Sequence, residues 1–155
     1  MNDTYRLLAD EIAGAVAGAA DADAAMRAVV TRLQSGLPHY SWAGFYLLEG
    51  NELVLGPYVG KPSPHTRIPL GRGICGAAAT TGQSIIVDDV NSDPRYLACS
   101  IETKSEIVVP ILHGDNVLGE IDIDSDRPAA FGPHDQALLE EIATAIAPRL
   151  KERSL

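Results

Sequence analysis

The sequence predicts an α+β domain built on a central antiparallel sheet, with helices from both ends of the chain packed against it. Three observations carry this. Amphipathic helical stretches open the chain over 3–18 and 22–35, two pairs of short β-rich runs follow, each folded back across a tight polar turn, and a further amphipathic stretch closes it. At 155 residues, with 46% hydrophobic and 21% charged residues, the chain reads as one soluble domain able to bury a core without staples.

In the opening helices, Leu7, Leu8, Ile12 and Val16, then Met26, Val29, Val30 and Leu33, recur at three- and four-residue spacing. Asp21 or Asp23 is placed to cap the second helix, and Gly36 and Pro38 end it. The first helix is rich in Ala and Gly, which suits close packing on its own sheet or on a partner subunit. The runs 41–48 and 52–59 make a hairpin across Glu49, Gly50 and Asn51. Alternation sets Trp42, Gly44 and Tyr46 on one face and Ala43, Phe45 and Leu47 on the other. Trp42 and Tyr46 are read either as core or as an aromatic wall for a sulfur-containing ligand.

Residues 60–72 read as one long loop holding three prolines. A short helix opens near Gly73–Cys75, where backbone N–H groups can lower a thiol pKa. Residues 84–88 read as a strand, and 106–112 with 116–124 as a second hairpin. The last strand alternates strictly, with Val117, Gly119, Ile121 and Ile123 on one face and Leu118, Glu120, Asp122 and Asp124 on the other. Same-face neighbours lie roughly 7 Å apart. Three acids in a row are either a wet sheet face or a binding face. Asp is a poor strand former, which favours binding. Pro133 starts the closing helix, with Ala137, Leu138, Glu141, Ile142, Ala145, Ile146 and Leu150 on its stripe, and Pro148 is expected to kink or loosen its end.

The bulk numbers exclude several classes. A net charge of −9 and the lack of any Lys/Arg cluster argue against a nucleic-acid partner. No apolar run approaches the ~20 residues of a membrane span, and the acidic N-terminus is no signal peptide. The cytoplasm is therefore the expected compartment. With neither CxxC nor HExxH, no metal site is expected. The two cysteines, Cys75 and Cys99, read as free thiols, either redox-active or simply buried.

One chemistry open to these residues is sulfoxide reduction. A thiolate attacks sulfur, and the sulfoxide oxygen takes up a proton, which calls for a carboxyl kept protonated at neutral pH by its neighbours. The resulting sulfenic acid condenses with a second thiol, and an external dithiol reopens the disulfide. Ionised carboxylates hold a substrate ammonium group.

The segments SWAGFYLL, ELVLGPYVGKP, RIPLGRGICGAAA, LACS, SEIVVPI and VLGEIDIDS together resemble the free methionine-(R)-sulfoxide reductases, which are single GAF domains. The resemblance spans about 40–147, preceded by the N-terminal helices of 1–36, so that 1–155 is expected to be one GAF domain. It implies that Cys99 is the nucleophile and Cys75 its partner. It implies that Glu106, Asp122 and Asp124 hold the amine and assist proton transfer, and that Trp42 and Tyr46 form the aromatic wall. The implied substrate is free L-methionine-(R)-sulfoxide and the implied reductant is thioredoxin, with no bound cofactor. A homodimer formed through the N-terminal helices is implied as well. Many members carry a third cysteine in the loop after GKP. Here that segment is Ser63, Pro64, His65 and Thr66, so the resolving role passes to Cys75. A GAF module that only binds and senses a small ligand is the alternative, and a redox-sensing or dimerisation module a further one. His39, His65, His113 and His134 are read as surface residues, with His65 the one standing where the missing thiol would be.

Overall fold

The computed structural model describes residues 1–97 and 102–153. Helix α1 (Asp3–Gly18) is capped by Asn2, whose side chain accepts the Tyr5 N–H at 2.9 Å. Helix α2 (Ala22–Gly36) is capped by Asp21, which accepts the Ala24 N–H at 2.8 Å. Asp23, the other expected cap, instead pairs with Arg27 on the exposed face. Leu7 does not join the apolar stripe: it is 71% exposed, while Leu8, Ala9, Ile12 and Val16 are buried. Each helical residue turns about 100°, so a stripe centred on positions 8, 12 and 16 leaves position 7 outside it.

Six strands follow the order β3-β2-β1-β6-β5-β4, every pair antiparallel. They are β1 (Trp42–Glu49), β2 (Glu52–Val59), β3 (Arg67–Pro69), β4 (Ile85–Val87), β5 (Ser105–His113) and β6 (Asn116–Ser125). The hairpins β1–β2 and β5–β6 close through two-residue turns that begin with Gly50 and Gly114, both at φ 61°. Positive φ at the first turn position matches the twist of paired strands and suits glycine. Strand β3 corrects the reading of 60–72 as a continuous loop: Ile68 pairs with Leu53. A strand of three residues that ends on a proline is too short to show a period.

The sheet has two packed faces. Ala43, Phe45, Ile107, Ile111, Ile121 and Ile123 meet α1, α2 and the closing helix α4 (Pro133–Arg153) in the larger core. The other face carries Trp42, Tyr46, Leu53 and Val108, covered by helix α3 (Gly73–Thr81) through Ile74, Cys75, Ala78 and Ala79. Expected and observed faces of β1 therefore agree.

In β6 the alternation breaks once. Ile111 pairs with Gly119 and Leu112 with Val117, so Leu118 is an extra residue in a β-bulge. The faces swap there: Leu118 packs on the helix-side core and Val117 on the α3 side, opposite to strict alternation. From Gly119 to Asp124 the expected faces hold.

Pro148 does not end α4, which continues to Arg153. The proline lies on the exposed side, while Ile146, Ala147 and Leu150 stay buried against the core. The buried stripe runs through 138, 139, 142, 143, 146, 147 and 150, with Glu141 left in solvent. Arg149 then donates to the carbonyls of Val16 and Ala19 at 2.7 and 2.9 Å. A guanidinium at the C-terminal end of α1 satisfies carbonyls that the helix leaves unpaired.

Candidate active site

Strand β6 and its neighbours bring the predicted acids together. Register pairs Glu106 on β5 with Asp124 on β6, and Asp122 with Gly44 on β1 and Val108 on β5. Glu106, Glu120, Asp122 and Asp124 are 4%, 0%, 2% and 5% exposed. The wet-face reading is thus excluded: α3 covers this side of the sheet.

Cys75 sits in the first turn of α3 with its sulfur 3.5 Å from Asp122 Oδ2. Its Sγ and one oxygen each of Glu106 and Asp122 all lie within 4.8 Å of one another. A thiol and two carboxyls so close form a donor set that could take a cation as well as protons. The helix opening does not lower the Cys75 pKa. Burial pushes the thiol well up, and the carboxyls of Asp122, Glu120 and Glu106 push it further. A dipole acting within one helical turn is outweighed by desolvation among acids.

The carboxyls themselves titrate high. Burial raises Glu106 well above the usual range, with Asp122 and Asp124 adding to the shift. Burial likewise raises Glu120 and Asp124 well above it. Asp122 is also raised by burial, but hydrogen bonds involving Glu106 and Cys75 pull it back. Desolvation is thus the first cause, ahead of the mutual repulsion expected from the sequence. Environment separates Asp122 from the other three acids, as an acid–base pair requires.

Two cavities meet at Asp122. The larger is about 220 Å³, and Trp42, Lys61, Glu102, Asp122 and Asp124 are in its wall. The smaller, about 20 Å³, lies against Tyr46, His65, Cys75, Leu97, Glu106 and Asp122. Trp42 stacks on Tyr58 with ring centroids 5.5 Å apart. Its Nε1 donates to the Lys61 carbonyl at 2.9 Å, and the Tyr46 hydroxyl donates to the His65 carbonyl at 2.8 Å. The two aromatic residues therefore wall the cavities and also fasten the 60–66 segment across them. Lys61 and Glu102 form an exposed ion pair beside the larger cavity. Cys99 lies outside the described residues. Its described chain neighbours do not: Leu97 lines the smaller cavity, and Glu102 and Thr103 the larger.

A family model for the GAF domain matches residues 7–150. A free methionine-R-sulfoxide reductase of Escherichia coli (strain K12) is 39% identical over 114 residues, covering 74% of this chain and 68% of that protein. The chain belongs to this reductase family. Among solved structures, the enzyme of that name from Neisseria meningitidis, in complex with its substrate, is 34% identical with a TM-score of 0.92, covering 100% of this chain and 95% of that one. A type II free methionine-R-sulfoxide reductase from Thermoplasma acidophilum is 44% identical with a TM-score of 0.82, covering 84% of this chain and 93% of that one.

Two features of this family member escape sequence reading. Glu120 is more deeply buried than the acids singled out, yet alternation already put it on their face. The second is a polar knot remote from the cavities. Buried Asp135 accepts from the Tyr40 hydroxyl at 2.8 Å, the Tyr5 hydroxyl at 2.9 Å and the Gly132 N–H at 2.9 Å, with His39 Nε2 at 3.0 Å. It ties α1, the entry to β1 and the start of α4 together. His39 is thus half-buried in this knot and His65 borders a cavity, so the surface reading fails for both.

Proposed function

We propose that this oxidoreductase family member reduces free L-methionine-(R)-sulfoxide to methionine, with Cys99 as nucleophile, Cys75 as resolving thiol and thioredoxin as the recycling dithiol. The carrying observation is the Cys75 sulfur at 3.5 Å from Asp122, in the wall of a cavity that shares Asp122 with the aromatic-walled cleft.

The Cys99 thiolate attacks the substrate sulfur. The sulfoxide oxygen takes a proton from a carboxyl that burial keeps protonated at neutral pH, Glu106 or Asp124. Oxygen passes to Cys99, leaving methionine and a cysteine sulfenic acid. Asp122 is the acid least removed from the usual range, and it faces both cavities, so it holds the ammonium group. Trp42 and Tyr46 bound the space for the S-methyl group. Cys75 then displaces the sulfenic oxygen as water, forming a disulfide that the dithiol opens. The acidic cleft suits an amino acid with a free ammonium, which a residue inside a peptide lacks.

Stoichiometry tests this. Cys99→Ser is expected to abolish methionine formation. Cys75→Ser is expected to yield about one methionine per chain and then stop when thioredoxin is the reductant. Normal turnover in Cys99→Ser refutes the mechanism. Tight substrate binding without methionine formation in the unaltered protein favours a sensing module instead.

A further inference from the structure

Cys75, Glu106 and Asp122 come from α3, β5 and β6, so the fold and not a sequence motif brings them together. The expectation of no metal site rested on motif spacing alone. The Cys75 Sγ and one oxygen from each carboxyl all lie within 4.8 Å of one another, and all three residues are buried. The Cys75 Sγ is 3.5 Å from Asp122 Oδ2. A tetrahedral zinc, with Zn–S of about 2.3 Å and Zn–O of about 2.1 Å, holds a sulfur and an oxygen ligand roughly 3.6 Å apart. The pair already stands at that separation.

Two further observations point to an occupant. The three residues share the wall of the smaller cavity, whose volume of about 20 Å³ admits one water-sized body. Asp122 Oδ1 is buried and has no hydrogen-bond partner among the described residues. A buried oxygen without a partner is costly, and a bound cation offsets that cost. The donor set selects the ion. A thiolate with two carboxylates suits borderline-soft Zn²⁺, whereas Mg²⁺ and Ca²⁺ take all-oxygen shells of about six or more ligands. Burial holds the Cys75 thiol and the Glu106 carboxyl protonated at neutral pH. A metal ion binds by displacing such protons, and a thiol on zinc is held as thiolate.

We propose that Cys75, Glu106 and Asp122 form a zinc site whose occupancy withdraws the resolving thiol from the reaction. The binding stands without the reductase reading above; its consequence rests on that reading. Zinc takes the sulfur lone pair that would otherwise attack the Cys99 sulfenic acid. It also takes Asp122 from the substrate ammonium, so zinc and substrate compete for one carboxylate.

The test titrates reduced protein, free of added thiol, with Co²⁺ as a spectroscopic stand-in for zinc, and then displaces it with Zn²⁺. One Co²⁺ per chain is expected, with a thiolate-to-cobalt charge-transfer band that zinc abolishes and excess Mg²⁺ does not. The band should persist in Cys99→Ser and vanish in Cys75→Ser, which separates the two thiols of the chain. Glu106→Gln should weaken zinc binding by at least about tenfold, the cost of losing even an outer-shell partner. Should Cys75→Ser fail to fold, that affinity decides. No band, a band that Cys75→Ser keeps or Cys99→Ser loses, or an unchanged affinity in Glu106→Gln overturns the site. For the consequence, reduced protein receives free L-methionine-(R)-sulfoxide with and without Zn²⁺, and the Cys75–Cys99 disulfide is followed by mass spectrometry. With zinc at about ten times its dissociation constant, roughly one chain in eleven stays free, so disulfide formation should fall about tenfold. A disulfide that forms at the same rate with zinc bound overturns the withdrawal of the thiol. Unaltered protein that makes no methionine without zinc overturns the reductase reading, and the site then stands or falls on the cobalt titration alone.

Discussion

Trp42 lies over Gly44, and the missing side chain at that position is what lets the indole fold flat. A Cβ on Gly44 would stand 2.4 and 2.7 Å from two Trp42 ring carbons and 2.9 Å from the Tyr58 Cβ. Gly44→Ala must therefore push the ring off its place in the cleft wall. The expected result is a KM for free methionine sulfoxide raised about tenfold, equivalent to ~1.4 kcal/mol of lost contact, with kcat changed less. Steady-state kinetics on the purified variant check this. At the opposite side of the sheet, Asp135→Ala leaves the Tyr40 and Tyr5 hydroxyls without their acceptor. It should cost about 2–4 kcal/mol by urea unfolding, the range for a buried network that loses its shared charged partner. At this scale the sequence placed Trp42 and Tyr46 on one face correctly, because alternation needs only neighbouring residues. Their hydrogen bonds to Lys61 and His65 were not legible, since those partners lie in an irregular segment without a period.

Strand β6 carries the site, and its geometry depends on the bulge at Leu118. Beside it, a Cβ on Gly119 would stand 2.4 Å from the Tyr46 carbonyl oxygen, a backbone atom with no rotamer to yield. Gly119→Ala should destabilise the fold by roughly 2 kcal/mol or more and disturb the Tyr46 register with it. Thermal unfolding monitored beside activity measures both effects. The strand itself and the common face of Glu120, Asp122 and Asp124 were readable from a two-residue period. Their depth was not, because α3 comes from 73–81 and reaches that face only in three dimensions. The same limit explains Cys75. Its position near a helix opening was legible, but the sign of its pKa shift is set by burial under the fold, with three carboxyls from two distant strands adding to it. The bulge was invisible because Leu118 is apolar and fits either face.

Across the whole molecule, four buried acids make folding itself a proton-binding event. Glu106, Glu120 and Asp124 titrate well above ordinary carboxyls when folded, so between the two ranges the native state holds more protons than the unfolded chain. Stability from these groups is full below the unfolded carboxyl pKa of about 4 and is lost as pH rises toward their folded values. The net charge of −9 at neutral pH works in the same direction through self-repulsion. Urea midpoints should therefore fall between pH 5 and pH 8, and Glu120→Gln should flatten that decline; a midpoint that rises over this range contradicts the account of the buried acids. The fold class was readable from the order of helices and hairpins, and helix boundaries came within a residue or two because caps and periodicity are local. The Asp135 knot was not, because its members are spread from Tyr5 to Asp135 and no motif links them. The most direct test of the central claim offers separated R and S isomers of free methionine sulfoxide to the reduced protein, with dithiothreitol as reductant and methionine as the readout. Methionine should form from the R isomer and not from the S isomer, and the yield should vanish in Cys99→Ser. Equal yields from both isomers, or no methionine from either, would contradict it.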